Sequence, residues 1–407
     1  MKIKSLAIIL CAIIASPFAQ AKQATENYVD FINSVYDQSD MIHIKILELE
    51  SELLRSKQTN FYYSPKVSAE SKYKTDNSRG EIFDSKVMVN SLIYSSSLPE
   101  RFKEKDSRIR SAELGLLKEK ENLYKSTMEN LVGIKYYSDL DLKAQKLERE
   151  AISLYNQIEG RYLSGIAKAS DVEQAKLLIQ RIKTESEGIN KEIELLKANI
   201  ELSTGIQYPA QGVYLPDTIL NKINSYKADE KKIYNNLDYQ LIGEQAESAK
   251  FNAQQQDNLM QLSLVAEDRY NNRRRVDNDS YAGIQVSVNV FDLDRKVAKQ
   301  TGMKSYEVLK RRMDFKYKES MAMIRTLQLT SNSNQKEIKG MEDQLNTTSI
   351  IITNQKQEYN ISQSSYYEML NTQYDYFSLE RRITDMKISE TINKISLLQV
   401  TGNLLSL

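Results

Sequence analysis

The residue types that most often carry out chemistry in proteins are almost absent from this chain. Cys11 is the only cysteine and His43 the only histidine among 407 residues. One copy of each cannot build a Cys- or His-based metal site, and His43 lies in a helical run where a solvated or packed imidazole is the usual role. A carboxylate-only hydrolase remains formally open, but we find no nucleophile elbow, phosphate-binding loop or conspicuous acidic pair. The sequence therefore predicts neither an enzyme nor a bound cofactor or metal.

The charged residues are balanced, with 56 lysines and arginines against 55 aspartates and glutamates. Interleaved charges of this kind give no electrostatic footprint for nucleic acid and are typical of solvated helix faces. Only 13 glycines and 5 prolines are available to interrupt helices. We therefore expect long, uninterrupted helices to dominate.

Residues 1–21 are typical of a secretory signal peptide. They combine a basic start, an apolar run over residues 6–15 and small residues before the expected cleavage site. The apolar run is too short to span a bilayer as a helix. Cys11 would leave with this segment, so we expect an exported mature chain without disulfides that begins near Lys22.

The chain repeats itself at an offset of 197 residues. Six identical residues at four places fit this one offset: Ala69-Glu70 with Ala266-Glu267, Tyr73 with Tyr270, Tyr162 with Tyr359, and Thr204-Gly205 with Thr401-Gly402. The repeat predicts a first structural unit over residues 22–206, a connector over 207–234 and a second unit over 235–407. A duplicated body is poorly explained by a single catalytic pocket.

Each copy contains long helix-compatible stretches, over residues about 99–205 and about 296–402. The first copy carries an unbroken heptad stripe of coiled-coil spacing: Val172, Ala175, Ile179, Ile182, Ser186, Ile189, Ile193, Leu196, Ile200 and Ser203. The equivalent stripe in the second copy is more polar, at Glu390 and Asn393. Such stripes usually form the core of a helix bundle and do not by themselves indicate a function.

Two segments with a period of two, over residues about 61–94 and about 260–291, predict one β-hairpin in each copy. Apolar and tyrosine residues alternate with polar ones, from Tyr63 to Tyr73 in the first strand and from Leu262 to Tyr270 in the third. Strands of ~10 residues with one polar face match tilted transmembrane strands, although a small soluble sheet is the alternative. Because four strands cannot close a membrane barrel, the transmembrane interpretation requires oligomerisation.

One segment of the first copy predicts a tight helix–turn–helix. Gly165 can adopt the backbone angles that end a helix, and Asp171 can stabilise the start of the next helix. The segment over residues 161–172 reads RYLSGIAKASDV. The second copy departs from it, with Ser362 in place of the glycine.

The order of signal peptide, helix, hairpin, two long helices and connector, followed by the same set again, resembles the TolC-like outer-membrane efflux and type I secretion channels. The segment over residues 161–172 is similar to the helix–turn–helix signature of that family. The resemblance implies a mostly α-helical protomer with a small transmembrane β part. It also implies a homotrimer whose coiled-coil helices form an α-barrel tunnel through the periplasm, topped by a 12-stranded β-barrel with four strands from each protomer.

The resemblance also implies partners and site residues. A periplasmic adaptor (membrane fusion) protein, coupled to an inner-membrane pump, would dock on the helix turns at residues Arg161, Tyr162, Gly165, Asp171 and Ser362. The pore constriction would lie at Glu368, Asn371 and Tyr359. Since Asn371 replaces one of two acidic residues of the family, a trimer would carry one ring of carboxylates there, able to attract cations. A basic residue that latches the closed state in the family maps to Ser364.

The sequence thus predicts a passive outer-membrane channel, driven by an inner-membrane pump and its adaptor. A soluble periplasmic coiled-coil scaffold is the alternative, which explains the helices but not the paired amphipathic hairpins. Small-molecule efflux and type I protein secretion both remain open, because the pump and adaptor select the cargo.

Overall fold

The computed structural model describes residues 17–76, 80–272, 280–360 and 366–407. The chain divides into two compact units. The first, which we call the helical unit, comprises Met1–Asp40, Lys120–Glu230 and Ala322–Leu407, and the second, the sheet unit, comprises Met41–Glu119 and Lys231–Met321. Each unit therefore takes residues from both copies of the sequence repeat.

Within the described residues, long helices alternate with two pairs of strands. The helices are α1 Pro17–Gln38, α2 Asp40–Asn60, α3 Leu98–Leu163, α4 Ala169–Thr204, α5 Asp217–Ser225, α6 Leu237–Gln254, α7 Leu293–Asn360 and α8 Tyr366–Val400. The strands are β1 Lys66–Asp76, β2 Gly80–Ser95, β3 Met260–Asn271 and β4 Tyr281–Val288. This mostly helical chain with one small antiparallel sheet confirms the predicted fold class at the level of the protomer.

The heptad stripe of α4 forms the buried face of that helix. Ala175, Ile182, Ile189 and Ile200 are almost fully buried, as the spacing predicts. Near the start of α4 the stripe joins a cluster contributed by three helices. Its buried members come from α3, α4 and α8: Ala151, Ile158, Ala175, Leu178, Ile182, Met369 and Leu370.

The two copies end their last helices with the same Thr-Gly pair, although the glycine N–H donates to the Glu201 carbonyl in the first and to the Gln399 carbonyl in the second. Gly205 follows α4 with φ of +74°, and Gly402 follows α8 with φ of +67°. The hydroxyl of Thr204 donates to the carbonyl of Ile200 at 2.7 Å, and that of Thr401 donates to Leu397 at 2.8 Å. Both pairs are separated by the 197-residue offset. The repeat seen in the sequence is therefore also a repeat of local geometry, with glycine supplying the left-handed angle in both places.

The polar position in the second stripe is buried rather than solvated. Glu390 is only 8% exposed, and its carboxylate accepts hydrogen bonds from the Ser331 hydroxyl and from the Gln335 side-chain amide, the latter at 3.3 Å. The ammonium of Lys394, one turn along α8, lies 3.8 Å away. These hydrogen bonds and the nearby ammonium, with most of the partners on α7, offset the free-energy cost of removing the carboxylate from water.

The four strands form one sheet in the order β1-β2-β3-β4, antiparallel throughout. The register places Ala69 opposite Val87, and Val89 opposite Ala266. The predicted beginning of the first strand was wrong: Phe61–Tyr63 form a 3₁₀ turn that is closed by the Ser64 N–H donating to the Phe61 carbonyl at 3.0 Å. Pro65 follows, so the extended ladder starts only at Lys66.

No helix among the described residues is both long enough and apolar enough to cross a membrane.

Candidate functional site

The turn between α3 and α4 is fixed by backbone hydrogen bonds. The N–H of Gly165 donates to the Tyr162 carbonyl at 2.9 Å, and the N–H of Ile166 donates to the Arg161 carbonyl at 2.9 Å. With φ of +75° at Gly165, these two bonds form a Schellman motif, which satisfies carbonyls that the helix end leaves without partners. The predicted role of Gly165 in ending the helix is thus carried out by its backbone.

Asp171 stabilises the start of α4 from within its first turn. Its Oδ2 accepts a hydrogen bond from the backbone N–H of Lys168 at 3.3 Å. A carboxylate at this position also faces the positive end of the helix dipole. The turn thus has a defined shape at both helix ends.

Three apolar side chains project from this turn into solvent. Tyr162 is 44% exposed, Leu163 is 79% exposed and Ile166 is 75% exposed. In many Schellman motifs the residue after the glycine packs back on the helix, but Ile166 does not. We call Tyr162, Leu163 and Ile166 the turn patch. Sequence reasoning selected Tyr162 but missed Leu163 and Ile166. These two apolar residues flank Ser164-Gly165, and that position beside a turn could have indicated them.

The corresponding segment of the second copy is described only in part. Glu368 lies in the first turn of α8 and is exposed, whereas Asn371, one turn further, is half-buried. Met369 and Leu370 are buried in the three-helix cluster, which orients this turn of α8. The side chain of Tyr359 and the whole of Ser362 and Ser364 lie outside the described residues.

A polar cluster connects α4 to α8 beyond the buried cluster. The Arg381 guanidinium pairs with the Glu185 carboxylate, and the Tyr374 hydroxyl donates to the same carboxylate at 3.3 Å. The Arg181 guanidinium lies 5.6 Å from the centre of the Tyr374 ring. Burial raises the pKa of the Tyr374 hydroxyl, and the negative charge of Glu185 raises this pKa further. The Tyr374 hydroxyl therefore keeps its proton and can donate it in the hydrogen bond to Glu185.

The sheet presents two chemically different faces. Directly opposed residues of antiparallel strands point to the same face, so the register defines each face across all four strands. One face, which we call the apolar face, carries Val67, Ala69, Tyr73, Phe83, Val87, Val89, Ala266, Leu264, Leu262, Tyr270, Ala282, Ile284, Val286 and Val288. Polar residues interrupt it at Ser71, Ser85, Ser91 and Asp268. Asp268 accepts a hydrogen bond from Ser280 at 2.5 Å.

The opposite face, which we call the polar face, carries ion pairs. Glu70 contacts Lys72 at 2.6 Å and Lys86 at 3.0 Å. Arg269 donates to both oxygens of Asp84, at 3.0 and 2.7 Å. The Glu70–Lys86 and Arg269–Asp84 pairs join neighbouring strands, whereas Glu70–Lys72 lies within β1. All are exposed, so each contributes little to stability. They indicate that this face is hydrated.

No group of three or more His, Cys, Asp or Glu side chains in the described part of the chain is arranged to hold a metal ion.

Comparison of the sequence with known proteins gave no match to any family model and no significant match to a curated protein. Comparison of the fold with solved structures did give matches. The structure of the outer membrane protein VceC from Vibrio cholerae covers 94% of this chain and 96% of its own length, with a TM-score of 0.74 and 14% identity. The chain has the fold of outer-membrane channels. Further matches are the outer membrane channel CmeC of Campylobacter jejuni, at TM-score 0.74 and 10% identity over 94% of this chain and 87% of that one, and the open-state outer membrane channel MtrE of Neisseria gonorrhoeae, at TM-score 0.73 and 10% identity over 92% and 89%.

This fold likeness covers both units of the chain and depends on shape, since the identities lie between 10% and 14%. It confirms the fold expected from the order of elements in the sequence. The roles of individual residues do not follow from it and are argued below from their surroundings.

Proposed function

We propose that the chain forms a trimeric outer-membrane channel that extends into the periplasm. The channel gives passive exit to cargo that an inner-membrane pump drives through an adaptor protein. No residue of the chain takes part in a chemical reaction. The protein contributes a hydrated path, which lowers the free-energy barrier for cargo compared with crossing the lipid.

The apolar face of the sheet is the observation that carries this proposal. Val67, Leu264, Ile284, Val286 and Val288 are each at least half exposed, although they share one continuous face. Exposed apolar faces of this extent mark a contact with lipid or with another protein, and the fold of outer-membrane channels favours lipid.

The edges of the sheet give the reason for an oligomer. Strands β1 and β4 are the outer strands, and each leaves one side of its backbone without a neighbour. Unpaired backbone groups are costly in lipid, so β1 of one copy must pair with β4 of the next. Three copies of four strands give twelve strands, an even number within the range of membrane barrels.

The turn patch fits the docking of an adaptor. Its three apolar side chains are accessible, and the Schellman motif holds their backbone in place, which limits the entropy lost on binding. Arg161, Gly165 and Asp171 contribute by shaping this turn. We include Ser362 in the docking surface by its equivalence to Gly165.

Glu368 is the residue that we propose as the constriction of the periplasmic pore, together with Asn371 and Tyr359. Its exposure at the start of α8, directly before the buried Met369, supports this placement. Three carboxylates around a common axis would attract cations.

The experiment that tests the proposal is fractionation of cells that express the full chain, followed by conductance measurements in planar bilayers. We expect the protein in the outer-membrane fraction, extracted by detergent as a trimer that conducts ions. Recovery as a monomer in the soluble periplasm would support the scaffold alternative and refute the channel.

A further inference from the structure

The polar face of the sheet carries more positive than negative charge. Its strand positions carry five cations and four carboxylates: Lys66, Lys72, Lys74, Lys86 and Arg269, with Glu70, Asp76, Asp84 and Glu267. The difference leaves a net charge of +1 on this face in each protomer. If the sheet forms part of a barrel as proposed above, this face lines the water-filled interior.

Three of these carboxylates, Glu70, Asp84 and Glu267, have partners within the sheet. Glu70 lies between Lys72 and Lys86, and Asp84 is held by the two nitrogens of Arg269. The Glu267 carboxylate accepts a hydrogen bond from the Tyr281 hydroxyl at 3.2 Å. Three of the four negative charges of the polar face are therefore paired near the middle of the sheet.

Lys66 and Lys74 are different, because neither forms an ion pair with any described residue. Both lie on β1, one at its first residue and the other near its end. Since β1 is an outer strand, these two lysines lie on the strand beside which another copy would join.

The opposite outer strand offers nothing to neutralise them. Strand β4, Tyr281–Val288, contains no charged residue, and its polar-face positions are Tyr281, Gly283, Gln285 and Ser287. This conclusion does not depend on the register with which β1 and β4 would pair. Strand β4 therefore leaves the positive charge of the two lysines in place, and on β1 itself Asp76 lies two residues beyond Lys74 on the same face.

We propose that Lys66 and Lys74 form a positively charged seam at each junction between copies, and that this seam gives the barrel a preference for anionic solutes. The favoured solutes are small molecules that carry a carboxylate, sulfate or phosphate group. Rings of lysine or arginine are the usual means by which pores favour such anions. The proposal rests on the channel function and adds a solute class to it.

A structural role for the same lysines makes a different prediction. Lysines on outer strands commonly prevent uncontrolled pairing between sheets. If that were their only role, replacing them would promote aggregation and leave ion preference unchanged. The seam predicts the reverse: trimers form normally, and ion preference changes.

The test is the reversal potential of the full-length channel in planar bilayers under a potassium chloride gradient. The variant is Lys66→Gln with Lys74→Gln, and the control is Lys57→Gln with Lys318→Gln. The control removes two exposed helix lysines that likewise form no ion pair with a described residue, so its change in net charge is identical. The seam variant and the control variant are each measured with Glu368 present and again with Glu368→Gln, which removes the carboxylate proposed to favour cations.

We expect the seam variant to lower the chloride-to-potassium permeability ratio by roughly twofold or more, in line with the focusing of counter-ions by charged pores. The control should change the ratio much less, and Lys66→Glu with Lys74→Glu should shift it further than the glutamine variant. Conducting trimers with an unchanged ratio, or an equal change in the control, would overturn the seam. Absence of conductance in the natural chain would instead refute the channel itself.

Discussion

The sheet and the turn patch both expose apolar side chains, but they expose them in different patterns. In the sheet, alternate residues of all four strands contribute to one extended face, and their polar neighbours form ion pairs on the other. In the turn, three side chains form a small patch on a rigid backbone, with polar and charged residues around it. The comparison teaches that exposed apolar residues of one chain can form either an extended face with a regular period of two or a small patch on a turn, and our proposal assigns the first to lipid and the second to a protein partner.

The largest effect should come from placing a charge on either face of the same strand. Val286→Lys puts an ammonium on the apolar face, where lipid contact costs roughly 2–4 kcal/mol per copy at the bilayer centre. Gln285→Lys puts the same group on the polar face and serves as the control. We expect the first variant to lose detergent-extractable trimers and the second to keep them. Equal yields from the two would remove the distinction between the faces.

The turn patch should respond to the loss of its apolar side chains without loss of the trimer. Leu163→Ser with Ile166→Ser removes two side chains that binding would bury, each worth about 1.5–3 kcal/mol. We therefore expect co-purification of the adaptor with the channel to fall at least about tenfold. Leu202→Ser is the control, since Leu202 is 87% exposed on α4 but lies outside the patch. Unchanged co-purification with the double variant would assign docking to another surface.

The shape of the turn can be tested at two glycines, both of which have space for an added methyl group but which differ in their backbone angles. A Cβ would meet no atom within 4 Å at Gly160 or at Gly165, but only Gly165 has a positive φ. Gly165→Ala should destabilise the helical unit by about 1 kcal/mol because of the left-handed strain. Gly160→Ala should stabilise it by up to ~1 kcal/mol, because alanine favours the helix. Thermal unfolding of the two variants measures the difference, and shifts of the same sign would contradict the Schellman geometry.

The smallest effect concerns the proposed constriction. Glu368→Ala removes one exposed carboxylate per copy and should lower the cation preference of single channels, because the ring that attracts cations is lost. The control is Glu187→Ala, an exposed glutamate on α4 that forms no ion pair with a described residue. An unchanged cation preference in the first variant would remove Glu368 from the pore.

Periodicity and the repeat predicted most of the protomer fold. The stripe that includes Ala175, Ile182 and Ile189 is buried, and the alternation around Val67 and Ala266 defines one face of the sheet. These features depend on neighbours in the sequence, so they can be predicted from it. The beginning of β1 was misplaced because Tyr63 fits a period of two even though it belongs to a 3₁₀ turn.

The candidate sites were less predictable because their contacts join distant parts of the sequence. Glu185 and Arg381 are 196 residues apart, and no pattern within α4 indicates this partner. In the same way, Glu390 looked like a polar weakening of the stripe, but Ser331 and Gln335 of α7 satisfy its carboxylate. The turn patch was missed for another reason: its side chains matter through their exposure, which spacing alone does not reveal.

The matching Thr-Gly ends of α4 and α8 have a consequence for how the chain folds. Each hydroxyl bonds to a carbonyl only four residues earlier, and each glycine turns the backbone directly afterwards. Everything needed to stop the helix is therefore contained in a single turn of chain. The first half of the protein can terminate its last helix before the second half has been synthesised.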